Sequence, residues 1–280
     1  MKDFFKTLLR SYSGCAGFIL LSSFVLLALI APWINLPDPV IGNLHERLLP
    51  PDWTGLHPLG TDPVGRDILS RLIYGGQTTL MVAFSAVALG AIFGTGVGIL
   101  AGFSGGIIDR ILMRIIDIQL SFPLMMLTLL VVAVLGPSIG NVIIVLALTS
   151  WTRYTRIIRG QVLVLKEREF ILSAKAIGAS AFWIMRQHIL PNVLTPVMVI
   201  ATLELARIII MMAALSFLGL GVQPPDPDWG QMLAEGRVYI STAWWIVLFP
   251  GLAILLTTLA VNLLGDWLRD YFDPKTRLRR

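Results

Sequence analysis

A chain of 280 residues in which 56% are hydrophobic and only 14% charged lies far below the roughly 25% charge of a soluble globular domain. That balance excludes a water-facing surface over most of the molecule and predicts an integral membrane protein. The formal net charge of +5 calls for no nucleic-acid partner, because the basic residues are distributed by membrane topology.

The length suits about six spans of roughly 20 residues with their connecting loops. The first apolar stretch, 14–34, is uncharged and follows Lys2, Lys6 and Arg10. It is longer than a signal-peptide core and has no small-x-small cleavage site before Pro32, so it reads as an uncleaved span. Cys15, the single cysteine, precludes an intrachain disulfide. It lies at the start of the apolar run, where a lipoprotein cysteine would follow it, and reads as a small helix residue. Residues 35–77 form a loop rich in Pro, Gly and Asp.

The second span, 78–103, carries Gly90, Gly94, Gly98 and Gly102, each four residues apart. Three overlapping GxxxG units put small residues on one face, where backbones approach closely. The face serves either fixed tight packing or a sliding interface. Residues 118–152 are one uncharged stretch interrupted by Gly136-Pro137-Ser138-Ile139-Gly140, a turn signal. It divides into a third span reaching back toward Ile111 and a fourth reaching on toward Ile158. Asp117, at the edge of the third, is expected to pair with Arg114 or Arg110. The fifth span, 192–221, contains Glu204 and Arg207, neighbours on one helix face. Charges within a span are costly, so they form a buried pair or line a pathway. The sixth span is 243–264. The preceding loop, 222–242, opens with Gln223-Pro224-Pro225-Asp226-Pro227-Asp228.

With a cytoplasmic N-terminus, 17 of the 22 Lys and Arg fall on inner segments. Four, Arg47, Arg66, Arg71 and Arg237, fall outside, and Arg207 lies within a span. The positive-inside rule then predicts both termini in the cytoplasm. His45, His57 and His188 share no metal-ligand spacing. No Ser/His/Asp set or HExxH motif sits at a span end, and no catalytic or metal-binding residue is assigned. A stand-alone secondary transporter is the competing class, but paired repeats with interrupted helices are not visible.

The basic inner loop, 159–191, has Leu163, Phe170, Ile171, Ala174 and Ile177 at helical spacing. Gly178 fits a helix stop and Ser180 a cap for a second short helix over 181–189. Residues 170–192 read Phe-Ile-Leu-Ser-Ala-Lys-Ala-Ile-Gly-Ala-Ser-Ala-Phe-Trp-Ile-Met-Arg-Gln-His-Ile-Leu-Pro-Asn. This segment resembles the EAA loop of bacterial binding-protein-dependent importers of the ATP-binding-cassette (ABC) type. That motif is E-A-A, three residues, G, nine residues, I-x-L-P. Ala174, Gly178, Leu190 and Pro191 match it; Leu172 replaces Glu, Ser173 replaces Ala and His188 replaces Ile.

Three further stretches are similar to signatures of the dipeptide/oligopeptide/nickel permease subfamily, C-type subunit. The first, 60–71, is Gly-Thr-Asp-Pro-Val-Gly-Arg-Asp-Ile-Leu-Ser-Arg. The second, 215–225, is Leu-Ser-Phe-Leu-Gly-Leu-Gly-Val-Gln-Pro-Pro, followed by Trp229-Gly230. The third, 262–270, is Asn-Leu-Leu-Gly-Asp-Trp-Leu-Arg-Asp, followed by Asp273-Pro274.

The resemblance implies an all-α, six-span type I ABC importer permease of the bacterial inner membrane. Residues 1–77 would carry the first span and its external loop, and residues 78–280 the permease core. The loop would supply a coupling helix docking on an ATPase through Leu172, Ser173, Ala174, Lys175, Gly178, Ala179, Ser180 and Pro191. The implied partners are a second, homologous permease subunit, two ABC ATPases, and a periplasmic or lipid-anchored solute-binding protein. The chain has no G-x-x-x-x-G-K-[ST] phosphate loop, so ATP and Mg would be bound by the ATPases. The subfamily carries peptides, nickel chelates, opines and glutathione, and the spans name no cargo.

Overall fold

The computed structural model describes residues 7–272. Lys2, Lys6, Asp273, Pro274 and the basic residues from Lys275 onward lie outside the described residues. Ten α-helices carry the fold among those described, with no β-strand. They are α1 (Tyr12–Ile30), α2 (Ile68–Ser104), α3 (Gly106–Leu120), α4 (Leu124–Leu135), α5 (Ile139–Leu165), α6 (Glu169–Ala176), α7 (Ala181–Ile184), α8 (Leu190–Phe217), α9 (Trp229–Gly236) and α10 (Trp245–Phe272). A π-turn over Met185–Ile189 joins α7 to α8.

Among the described residues, four helical units are long and apolar enough to cross a bilayer: Tyr12–Trp33, Ile68–Ser104, Ala181–Phe217 and Trp245–Phe272. A fifth is the pair α3–α4, bent by 89° at Ser121-Phe122-Pro123. Pro123 has no N–H to continue the ladder and pushes Phe122 out of helical geometry. The expected third span is therefore bent sharply, as a broken span or a re-entrant loop. The expected fourth span, α5, has 27 residues, which is long enough. Arg153, Arg156 and Arg159 in its second half leave it less apolar than the others.

The turn at 136–140 lies between α4 and α5. Gly136 takes a φ of +88°, and Ser138 Oγ accepts the Asn141 N–H at 3.2 Å. Two boundaries differ from the expectation. Helix α2 begins at Ile68, ten residues before the apolar run, and passes unbroken through positions 77 and 78. A division of the chain there does not coincide with an element end. The second difference is the segment 222–242, expected as an external loop. It folds inward as α9, with Val222, Trp229 and Met232 at 1–3% exposure.

Helix α2 lies along α5, with α8 and α10 packed beside them and α1 along the outer side of α10. One core joins Leu80, Ala83 and Ala86 of α2 to Leu146 of α5 and to Ile209 and Met212 of α8. A second lies toward the 169–189 end, around Tyr154, Ile158, Val162, Ile171 and Val193. A third, at the opposite end, gathers Ile68, Trp229, Met232, Trp245 and Ile246.

Candidate functional site

The short helices at the 169–189 end are held by a few apolar anchors. Ile171 and Ala174 turn inward onto Ile158 and Val162 of α5 and onto Ile184, Ile189 and Val193. Helix α6 ends when Gly178 takes a φ of +84°, a conformation that costs a residue with a Cβ about 1–2 kcal/mol. The Ala179 N–H then bonds Ala174 O at 3.0 Å, which closes the corner. Ser180 Oγ accepts the Trp183 N–H at 3.3 Å and starts α7. Lys175 Nζ sits 5.5 Å above the Phe103 ring. The His188 ring contacts Trp183 edge-on at 4.9 Å and Phe170 at 5.9 Å.

This geometry divides the candidate coupling residues. Leu172, Ser173, Lys175, Gly178, Ser180 and Pro191 are exposed, Ala179 is half-buried, and Ala174 faces the core. Ile177 at 83% and Phe182 at 70% exposure are the apolar tips of the corner, and neither belongs to the motif pattern. Helix α7 is not a separate second helix, because it continues through the π-turn into α8 with Pro191 in the first turn of that span.

Near the middle of the bundle, Glu204 of α8 is fully buried. Its nearer partner is Arg153 of α5, whose Nη1 donates to Oε1 at 2.7 Å. Arg207 Nη1 lies at 3.4 Å. The pair read from the sequence is therefore a triad. Asp117 pairs with Arg156 of α5 at 2.5 Å, rather than with Arg110 or Arg114 on its own helix, because α3 runs beside α5. Arg159 and Asp109 form a third such pair, at 2.5 Å. Gln119 adds two bonds across the same contact, donating to Leu148 O at 2.6 Å and accepting the Trp151 Nε1–H at 2.9 Å. Arg153 and Arg156 were legible only as two of the inner basic residues. Their spacing on one face of α5 was the signal for a site.

The glycine face of α2 meets α5. A Cβ at Gly98 would lie 2.9 Å from Ile158 Cβ, and one at Gly102 2.8 Å from Val162 Cβ. At Gly90 and Gly94 it would strike Ser150 Oγ and Trp151 O. The Thr155 hydroxyl crosses the contact to Gly94 O at 3.0 Å. Side chains would hold the two backbones apart and forfeit this bond.

At the far end, the 60–71 stretch is a buried ionic clasp. Asp67 Oδ2 accepts the Ser70 N–H at 2.7 Å and caps α2, while its Oδ1 lies 2.9 Å from His57 Nδ1. Arg71, 1% exposed, bonds Asp62 and reaches Glu235 of α9 at 2.7 Å. Arg66 bridges the same two carboxylates at 2.5 and 2.9 Å. Two cations and two anions balance, and they fasten the loop before α2 to α9. Asp228 caps α9 by accepting the Gly230 N–H at 2.8 Å. Burial pushes its carboxyl up to about 6, against the opposing pull of the Gln231 and Gly230 N–H groups. Among the described residues, no cluster of three or more His, Cys, Asp or Glu could hold a metal ion.

Residues 94–278 match the family described as binding-protein-dependent transport system inner membrane component. The chain belongs to this family. The permease is 43% identical over 276 residues to the dipeptide transport system permease protein DppC of Alkalihalophilus pseudofirmus, covering 99% of this chain and 90% of that one. It is 41% identical to the di/tripeptide transport system permease protein DppC of Pseudomonas aeruginosa, over 99% and 93% of the two chains. A probable D,D-dipeptide transport system permease protein of Escherichia coli is 43% identical over 90% and 84%. The fold resembles a chain of the inward-facing MetNI methionine ABC transporter, with a TM-score of 0.57 over 72% of the permease and 97% of that chain at 21% identity. The permease is thus an inner membrane component of a binding-protein-dependent transport system.

Proposed function

We propose that this permease imports dipeptides or similarly short peptides, as one half of a pathway completed by a homologous second permease subunit. The observation that carries the reading is 43% identity along 99% of the chain to a dipeptide permease. Two ATPases bind ATP and Mg, and a solute-binding protein delivers the peptide on the opposite side. The lysine and arginine distribution supports a cytoplasmic position for both termini and for α6.

Coupling runs through the corner at Gly178. The tip formed by Leu172, Lys175, Ile177 and Phe182 enters a groove on the ATPase. Ile171 and Ala174 transmit the movement into the core beneath Tyr154 and Ile158. Because α7 continues into α8, closure of the ATPases moves the span that carries Glu204.

The test is co-purification in detergent followed by reconstitution. An ATPase is expected to copurify, and proteoliposomes charged with ATP and binding protein are expected to accumulate labelled alanyl-alanine. Uptake that persists without an ATPase overturns the coupling. ATP-driven uptake restricted to a non-peptide solute overturns the substrate class.

A further inference from the structure

Between the broken α3–α4 unit and helices α5 and α8 lies a cavity of about 320 Å³. Its walls include Thr149, Thr152, Arg153, Arg156 and Arg207, with Leu120 and Leu124 flanking the break. Its position along the helices follows from their geometry. At 1.5 Å per residue, Arg153 lies about 21 Å along a helix of about 40 Å, and Glu204 about 21 Å along α8's 42 Å. Both residues therefore lie near the middle of their helices, between α5 and α8.

Three guanidiniums meet here against two carboxylates. Glu204 is shared by Arg153 at 2.7 Å and Arg207 at 3.4 Å, and Asp117 takes Arg156 at 2.5 Å. One positive charge is left over. Each guanidinium has five N–H donors, and Arg153 and Arg156 each engage one nitrogen with their carboxylate. Their side chains remain 50% and 51% exposed. An excess cation among packed apolar helices is costly and points to a functional site.

We propose that Arg153, Arg156 and Arg207 form a subsite between the helices for the carboxylate of the transported solute. For a peptide this is the C-terminal carboxylate, so the assignment rests on the peptide reading above. Arginine suits the role because its planar fork meets a carboxylate bidentately. The residual charge draws the carboxylate inward. An anionic lipid headgroup shares this chemistry, and the liposome composition in the test distinguishes the two.

The test uses the whole transporter with its binding protein in proteoliposomes, with labelled alanyl-alanine as probe. Arg156→Gln and Asp117→Asn break the same ion pair, but only the first removes the cation. Arg156→Gln is expected to lower uptake at least tenfold, with Arg156→Lys restoring most of it. Asp117→Asn leaves the Arg156 cation in place and is expected to retain most of the uptake. The pattern is expected in liposomes of phosphatidylcholine alone and in those containing phosphatidylglycerol. Equal losses for Arg156→Gln and Asp117→Asn, no loss for Arg156→Gln, or a loss confined to the anionic liposomes each overturns the subsite. If the unaltered transporter takes up no alanyl-alanine, the peptide reading itself fails, which is distinguishable from the other outcomes.

Discussion

Arg153 Nη1 lies 2.7 Å from Glu204 Oε1, joining the middle of α5 to the middle of α8 through a carboxylate that has no solvent exposure. Breaking such a pair from the cationic side strands a buried charge, which costs about 3–5 kcal/mol. Arg207, at 3.4 Å, offsets part of that. Arg153→Gln is therefore expected to lower the melting temperature in detergent markedly and Glu204→Gln only slightly. The double variant is expected to lie near Glu204→Gln. Equal losses from the two single variants would show that the carboxylate is not dependent on Arg153.

Gly90→Ala is expected to destabilise the α2–α5 contact by about 1–3 kcal/mol through overpacking. The new methyl meets Ser150 Oγ first, and the next atoms, Ala147 O and Ser150 Cβ, lie 3.2 and 3.3 Å away. Ser150→Ala in the same chain is expected to recover part of the loss. A double-mutant cycle on detergent melting temperatures measures that coupling. Additive effects would contradict it.

Arg71 ties the loop before α2 to α9 while itself 1% exposed. Arg71→Ala leaves Asp62 with Arg66 as its remaining guanidinium and is expected to cost about 3–5 kcal/mol. Limited proteolysis is expected to cut first between residues 44 and 66 in this variant. Cutting elsewhere, with this stretch still protected, would contradict the clasp.

Asp228 gives a pH dependence of definite sign. Its carboxyl is raised from 3.8 to about 6 in the fold, so the folded state binds the proton more tightly than the unfolded chain. The stabilisation is complete below about pH 4 and is lost as pH rises through 6. Asp228→Asn keeps a capping carbonyl and is expected to flatten this part of the melting-temperature profile between pH 4.5 and 7.5. A variant profile parallel to the original would exclude Asp228 as its source.

What the sequence revealed was local and periodic. The fourfold spacing of Gly90 to Gly102, the Gly136-Pro137 turn and the Gly178-Ser180 corner each depend on residues within a turn or two of one another. The missed features depend on distant partners. Helix α2 starts at Ile68 because Arg71, which looks like loop material, is neutralised by Asp62 and by Glu235, more than 160 residues away. Residues 223–228 resemble a solvent loop, yet Trp229 is buried and its Nε1–H bonds Leu72 O at 2.9 Å. Pro123 sits in an unbroken apolar run, so hydropathy conceals the bend. Glu204 showed its neighbour on the same helix and hid the nearer one on α5. Ala174 fits the loop motif but packs inward, a direction that motif spacing does not specify.

The most direct measurement of the central claim compares peptide uptake with ATP hydrolysis in the reconstituted transporter carrying Gly178→Trp. This change places a bulky side chain at a φ of +84°, on the exposed corner. The expected result is assembled transporter at normal abundance in the membrane, with uptake of alanyl-alanine abolished and hydrolysis no longer stimulated by loaded binding protein. Uptake at the level of the unaltered transporter would contradict coupling through this loop.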